Sequence, residues 1–426
     1  MPSSFVSIVG FNNSDCGYCH QDNTSYTFGL WAHSLSCKDY QALIDRGWRR
    51  SGKYLYKPNL RKSCCPQYTI RLDTTEFKVS KSQRKIINKF NKYIEGTWQP
   101  AHEMINDNSK ETTKKKKGNN NIEPTTLIDM IRSAETNSCK EGDYAHSFKI
   151  EMEPSSYTDE KFALYCKYQK EIHHDEPDEL KPEQFKRFLV DTPLQLDSVI
   201  GNDGLTFGSY HQKYILDDKL IAVAVLDILP YCVSSVYYMY DPDYSFLGLG
   251  NYSALREISL TQELYMDSKE LKYYYMGYYI HSCVKMKYKG KYHPSYLLDP
   301  EAYEWFSLDK VCIPLLDKHK YVSFSNPENS TKQQLENNKN GNEDNEDHVD
   351  EDSDDDNYEI CPPGWLDRST LTDKDFGEVV ILAGQNMVVP VTYLEDFDDH
   401  DSTIRKEITN FVAAVGLKLA KRIVIC

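Results

Sequence analysis

The sequence predicts an α+β protein: a mixed sheet flanked by helices in the second half, behind a cysteine-rich, basic N-terminal domain that binds a metal or a cluster. Three observations carry this prediction. The run Leu220-Ile221-Ala222-Val223-Ala224-Val225-Leu226 is nearly continuous apolar text, as expected of a strand covered on both faces. After a second strand-like run, Leu247-Gly248-Leu249-Gly250 opens a helical stretch that leads into a third, giving strand, glycine turn, helix and strand. Finally, Cys16 and Cys19 form one close pair and Cys64 and Cys65 another.

Taken in order, residues 1–105 read as the basic N-terminal domain. Lys53–Lys57 and Tyr68–Leu72 alternate as strands with one buried face. From Ser80 the spacing changes, with apolar residues at Ile86, Ile87, Phe90 and Ile94, a helix capped by Ser80 or Ser82. Residues 106–144 are expected to be a low-complexity linker, Asn-rich and carrying Lys114–Lys117. Residues 145–326 form the second domain, with helical periodicity over Thr158–Ile172 and Pro182–Val190. Its strands are expected at Lys219–Leu229, Val233–Tyr240 and Leu271–Tyr279, and its main helix near Tyr252–Met266. Residues 327–358, with 12 acids against 2 lysines, are expected to be a disordered acidic insert. Residues 359–426 are a C-terminal extension of unassigned role, with a strand candidate at Val379–Leu382 and amphipathic text from Ile404 to Val424.

Of the 426 residues, 40% are apolar and 12% aromatic, enough for a sizeable core, and 32 are tyrosines. The net charge of −15 is unevenly spread: residues 1–149 carry +8, and the acidic insert alone −10. No run of 18 apolar residues exists, so no membrane span is expected. No secretory signal is visible at the start, and 12 cysteines in such a chain are expected as thiols or metal ligands. Cytoplasmic residence, with the nucleus as a second location, is the expectation.

Cysteines two apart are a usual half-site for zinc or an iron–sulfur centre, and Gly17 permits the tight turn between them. Cys16, Cys19, Cys64 and Cys65 are the candidate ligands of Zn2+ or a [4Fe–4S] cluster; His20 can replace one of them. The remaining cysteines read as apolar filling. From Arg46 to Lys92, 14 bases face 2 acids, with Trp48 and several tyrosines interleaved. Such a segment attracts phosphates, and its rings can stack on unpaired bases. In the second domain, His211, Asp227, Asp241, Arg256, Glu257 and His281 lie in or at the ends of strands and on the helix after the glycine turn. There they need partners or a wet cleft.

Cys16-Gly17-Tyr18-Cys19, Arg49-Arg50-Ser51-Gly52, Cys64-Cys65-Pro66-Gln67-Tyr68, Ser80–Lys85, Asp227–Pro230, Tyr252–Glu257 and Gly277–Ser282 resemble, in order, the eukaryotic arginyl-tRNA–protein transferases. Val79 and Val284 stand where that family usually has proline. The resemblance implies a GNAT-like fold for the second half and zinc or iron–sulfur binding at the N-terminal cysteines. It also implies transfer of arginine from Arg-tRNA to proteins with N-terminal Asp, Glu or oxidised Cys, marking them for ubiquitin-dependent degradation. The implied partners are Arg-tRNA, substrates with acidic N-termini and ubiquitin-ligase machinery; a monomer is expected, with no membrane.

That chemistry is aminolysis of an activated ester, which needs positioning, a proton acceptor and oxyanion donors, but neither ATP nor acetyl-CoA. Candidate catalytic residues are Asp241, Glu257 and His281. Arg256, Asp227, His211 and Tyr278 are candidates for holding substrate, since a guanidinium prefers a carboxylate and an acidic terminus prefers a cation. Arg49, Arg50, Arg71, Lys78, Lys81, Arg84 and Lys85 are candidates for tracking the tRNA. Two rival readings remain at this point: an acyl-CoA acetyltransferase, for which Ser245 is a poor lead to the glycine turn, and a metal-stapled RNA-binding adaptor.

Overall fold

Residues 4–100, 126–138, 144–201, 204–328, 361–384, 387–399 and 401–426 are described by a computed structural model. Their strands are β1 (Phe5–Ser14), β2 (Ser25–Ser34), β3 (Arg49–Ser51), β4 (Tyr54–Pro58), β5 (Tyr68–Asp73), β6 (Phe148–Pro154), β7 (Val199–Ile200), β8 (Leu205–Thr206) and β9 (Gly208–Leu216). These are followed by β10 (Lys219–Ile228), β11 (Cys232–Tyr240), β12 (Tyr273–Tyr279), β13 (Ser295–Leu298), β14 (Trp305–Ser307), β15 (Val380–Ala383), β16 (Met387–Pro390) and β17 (Val424–Ile425). The main helices are α1 (Cys37–Ile44), α2 (Lys81–Ile94), α3 (Leu127–Ser138), α4 (Asp159–Tyr168), α5 (Pro182–Phe185) and α6 (Leu249–Asp267). No described helix is long and apolar enough to cross a membrane.

The chain divides into two compact units that differ from the expected domains. The first joins Met1–Asp73, Thr192–Asp197 and Tyr275–Cys426; the second joins Thr74–Asp191 and Ser198–Tyr274. In the first unit a seven-stranded sheet runs β16-β15-β17-β1-β2-β4-β3. The C-terminal extension is therefore part of this unit's sheet: β17 pairs parallel with β1, setting Val424 against Phe5. Its helix Thr403–Val415 buries Ile408, Phe411, Val412 and Val415 at helical spacing. In β4 the parity of Leu55 carries over to Lys57, and both are buried. Gly29 lies so close to the Tyr54 ring that any β-carbon there would collide with it. Also in this unit, β13 pairs antiparallel with both β14 and β5.

In the second unit β11, β10, β9 and β6 pair antiparallel in that order. Every residue of β10 except Lys219 is buried, which explains its continuous apolar text. Helix α6 packs on β11 and starts at Gly248, which adopts φ 68° where glycine carries no β-carbon penalty. Helix α2 begins with a reciprocal cap, Ser80 accepting from the Gln83 N–H while the Gln83 side chain accepts from the Ser80 N–H. Its Phe90 stacks on Tyr252 of α6 with ring centroids 4.0 Å apart. Because the Ser80 cap serves one orphan donor in a partly exposed turn, Ser80→Ala is expected to lower unfolding free energy by about 1 kcal/mol in chemical denaturation.

Two expectations need correction or relocation. Residues 127–138, assigned above to the linker, form α3, because Leu127, Ile131 and Ala134 recur at helical spacing and are buried. The Asn-rich stretch 106–125 and the acidic stretch from 329 to 358 lie outside the described residues.

Candidate metal centre and candidate polar sites

The four expected cysteines converge. Cys16 and Cys19 occupy the turn after β1, and Cys64 and Cys65 the turn before β5, all in the first unit. The turn is closed by the Cys16 N–H donating to the Gln21 carbonyl (2.9 Å) and the His20 N–H to the Cys16 carbonyl (2.8 Å). His20 takes the left-handed conformation, φ 59°, that this reversal demands. The second turn is tied to the first by the Cys64 N–H donating to the Thr24 carbonyl at 3.0 Å. The four sulfurs all lie within 4.8 Å of one another, and Cys19 Sγ is 3.3 Å from Cys64 Sγ. His20 is exposed and not a member of this group.

Cys16 and Cys65 are buried against Ile280, with Tyr18, Cys283 and Met286 around them. Burial raises the Cys64 and Cys65 thiols. At Cys16 burial also opposes the thiolate, but hydrogen bonds from the Cys19 and Tyr18 N–H groups and from neighbouring thiols bring it down to about 7. Four thiols at this separation suit one tetrahedral ion: Zn–S bonds of about 2.3 Å set sulfurs about 3.8 Å apart. The thiolates of a cubane cluster sit on four different irons and stand farther apart.

The polar residues of the second unit are spread over its sheet rather than gathered at one end. Asp241 begins where β11 ends, and its N–H donates to the carbonyl of Ile221 near the start of β10. Asp227 lies toward the other end of β10, about 20 Å away at roughly 3.3 Å per residue. Asp241 is paired with Lys167 (2.5 Å) and Lys219 (2.7 Å); burial opposes its charge, but the two ammonium groups hold the carboxyl below its usual range. Asp227 is wholly buried and accepts from the Ser209 hydroxyl at 2.6 Å. Glu257 accepts from the Tyr274 hydroxyl at 2.7 Å and from Ser235. Ser235 is opposite Leu226 in register, so strand alternation sets it on the other face of the sheet from Asp227. Burial pushes the Glu257 carboxyl up to about 7.

Arg256 is committed to Glu135 of α3, and the pair is nearly buried. The His211 ring is buried, with Nδ1 3.0 Å from the Lys161 ammonium and Nε2 2.9 Å from the Leu189 carbonyl. Lys161 is itself held by Glu153 (2.5 Å) and Ser156. Arg256 and His211 are thus engaged by internal partners, although Arg256 Nε is buried with no hydrogen-bond partner among the described residues.

The basic residues divide in two. Lys78, Lys81, Arg84 and Lys85, in the second unit, are exposed on or beside the first turns of α2. Arg49 and Arg50, in the first unit, are buried, contrary to a role in tracking a polynucleotide at the surface. Arg49 donates to the carbonyls of Trp48 (2.7 Å) and Gly277 (3.2 Å), and Arg50 to that of Gly52 (3.2 Å). Arg71 is half-buried, its guanidinium 3.9 Å from the centre of the Trp305 ring.

Near the cysteines, the Tyr278 hydroxyl donates to the Gly47 carbonyl at 3.0 Å. His281 Nδ1 is 3.1 Å from the Tyr279 hydroxyl and Nε2 2.7 Å from Asp317, with the ring partly open to solvent. Sequence reasoning missed Lys289, whose ammonium donates to the Tyr278 carbonyl at 2.7 Å. Burial, with Arg49 nearby, lowers it to about 7. It also missed Lys57, a buried cation that strand parity with Leu55 makes legible in retrospect.

Residues 14–85 match the family model "Arginine-tRNA-protein transferase, N terminus" and residues 160–299 the model "Arginine-tRNA-protein transferase, C terminus". Arginyl-tRNA–protein transferase 1 of Drosophila melanogaster is 38% identical over an alignment spanning 75% of this chain and 86% of the relative. Arginyl-tRNA–protein transferase 2 of Arabidopsis thaliana is 32% identical, over 76% and 78%. An aspartate/glutamate leucyltransferase of Campylobacter jejuni subsp. jejuni is 26% identical, over 60% and 78%. The matched segments contain the four converging cysteines, the α2 cap and the sheet built on β10, and the chain belongs to the arginyl-tRNA–protein transferase family of aminoacyltransferases.

Proposed function

We propose that this chain moves arginine from Arg-tRNA onto the α-amine of proteins beginning with Asp, Glu or oxidised Cys, in the cytoplasm and nucleus, and so marks them for ubiquitin-dependent degradation. The observation that carries this reading is the 38% identity to a named arginyl-tRNA–protein transferase of which the chain spans 86%. The acidic acceptor is supported by the bacterial relative, whose name pairs aspartate and glutamate with a different transferred residue. Sharing an acceptor while changing the donor is what two pockets on one scaffold permit.

In the reaction the amine nitrogen attacks the ester carbonyl of Arg-tRNA, an amide bond forms, and the bond to the ribose oxygen breaks. The amine proton passes through a base to that oxygen. An α-amine has an ordinary pKa of about 7.7–8.0, so a useful neutral fraction exists near neutrality. Holding amine and ester together supplies roughly 7–11 kcal/mol of the barrier. Within the expected catalytic set, His281 is the member with solvent access and takes the role of proton acceptor, oriented by Asp317. Asp241 and Glu257, enclosed by their own partners, take supporting roles. The second half is read as GNAT-like. The four cysteines hold one zinc-type ion, which pins two turns of the first unit together and takes no part in the transfer.

The test is transfer of labelled arginine to an Asp-initiated peptide, which should require charged Arg-tRNA and ignore acetyl-CoA. Uptake from acetyl-CoA, or no label with charged tRNA, would overturn the proposal. The exposed cations of α2 are assigned to the tRNA backbone. Each of Lys81→Ala, Arg84→Ala and Lys85→Ala that removes a phosphate contact should reduce the slope of log K against log salt by roughly 0.7–0.9 in filter-binding titrations. An unchanged slope in all three places the tRNA elsewhere.

A further inference from the structure

Between β4, β5 and the segment after β13, the first unit holds a small recess, open to solvent. Arg46, Lys57, Gln67 and Thr69 are in its lining, together with the apolar Leu60 and Leu298. Lys57, Gln67 and Thr69 are each more than nine-tenths buried. The Lys57 ammonium has three donors, and one is engaged, by the Tyr303 hydroxyl at 2.5 Å. That hydroxyl in turn donates to the Gly364 carbonyl. The Arg46 guanidinium lies 4.2 Å over the Tyr303 ring.

Two features mark this recess as incomplete. The Thr69 hydroxyl and Arg46 Nε are buried with no hydrogen-bond partner among the described residues. Moreover, the charged groups that Lys57 senses are a second cation, Arg46, and the Cys361 thiol; no carboxylate is among them. Burial, with the Arg46 guanidinium beside it, pushes the Lys57 ammonium well below its usual range, and an anion bound in the recess would favour its charged form.

The geometry points to a carboxylate-binding site: Arg46 and Lys57 neutralise the anion, Thr69 and Gln67 donate hydrogen bonds to its oxygens, and Leu60 and Leu298 take a short methylene stem. The recess draws on Tyr303 and Pro363, outside both matched family segments. Gly364 is fixed there: at φ 71°, a β-carbon would strike the Pro300 carbonyl and the Tyr303 hydroxyl.

The experiment is titration calorimetry on the full chain, without tRNA, using glutarate as probe and its neutral isostere glutaramide as control. Saturable binding of glutarate and none of glutaramide is expected. Lys57→Met and Thr69→Val should each weaken glutarate at least ten-fold. Neither variant removes the partner of a buried charge, so both should melt at or above the wild-type temperature. If Lys57→Met fails to fold, Thr69→Val alone decides. An Asp-initiated peptide is then titrated against bound glutarate. Displacement identifies the ligand as the side chain of a protein N-terminus; no displacement identifies a free small acid, and either result supports a carboxylate site. Absence of saturable glutarate binding, equal binding of glutaramide, or unchanged affinity in the variants overturns it. Because no transfer is measured, failure here is distinct from failure of the arginyl-transfer reading.

Discussion

Cys16→Ser combined with Cys65→Ser is expected to abolish metal retention and lower the melting temperature by on the order of 10 °C. The reasoning starts from the two turns. Few hydrogen bonds link the turn after β1 to the turn before β5, and the sulfurs meet at their junction. Structural zinc contributes roughly 10–16 kcal/mol of apparent binding energy in small domains. Even a third of that is a sizeable share of the roughly 5–15 kcal/mol that stabilise an ordinary domain. Serine cannot supply the thiolate, and two replacements leave two ligands. Elemental analysis of the purified chain checks the first part and calorimetric melting the second. One zinc per chain is expected; four irons with sulfide, or a metal-free wild type that melts like the loaded one, would contradict the mononuclear site. His20→Ala should leave the metal content unchanged, since His20 stands outside the sulfur group.

Much of this architecture was legible in the sequence, for physical reasons that differ by element. Periodicity located β4, β5, β10, β11 and α6 because their neighbours bury one face or both, and a buried face writes its period into the residues. The cap of α2 was legible as Ser80 or Ser82, and the reciprocal bond with Gln83 selects Ser80. The cysteine group followed from the chemistry of paired thiols. Helix α3 was not legible beside the Asn- and Lys-rich text before it, although Leu127, Ile131 and Ala134 carry the pattern. Charged residues beside apolar strands were expected to need partners or a wet cleft, and Asp241, Arg256 and His211 each meet a local partner, namely Lys167, Glu135 and Lys161. Which charge finds a partner is decided by tertiary neighbours, and no local pattern records it. The same limit hid Lys57: its burial follows from parity, but its lack of a carboxylate neighbour does not.

For Glu257→Gln, a rise in stability at alkaline pH and a flatter pH dependence are expected. The carboxyl is 1% exposed, and burial pushes it up to about 7 from an ordinary 4.5, against hydrogen bonds from Tyr274 and Ser235 that favour its charge. The folded chain therefore holds this proton over a pH range where the unfolded chain has lost it. That favours folding below about pH 4.5 and is lost as pH rises through about 7, where the buried carboxylate must ionise or unfold. The difference corresponds to about 3 kcal/mol as an upper bound, or on the order of 10 °C in melting temperature. Glutamine keeps an acceptor for the Tyr274 hydroxyl and stays neutral at every pH. It should therefore match the wild type near pH 5 and exceed it near pH 8.5. Comparing the two proteins at each pH cancels every other titrating group they share. Equal melting temperatures at pH 8.5 would mean that Glu257 ionises without penalty, which its enclosure by Tyr214, Tyr238 and Tyr274 argues against. Transfer activity separates the two remaining roles. A more stable variant with wild-type kcat makes Glu257 a buried structural acid. A more stable variant whose kcat falls a hundred-fold, with KM unchanged, means that the proton it holds near neutrality is used in the reaction.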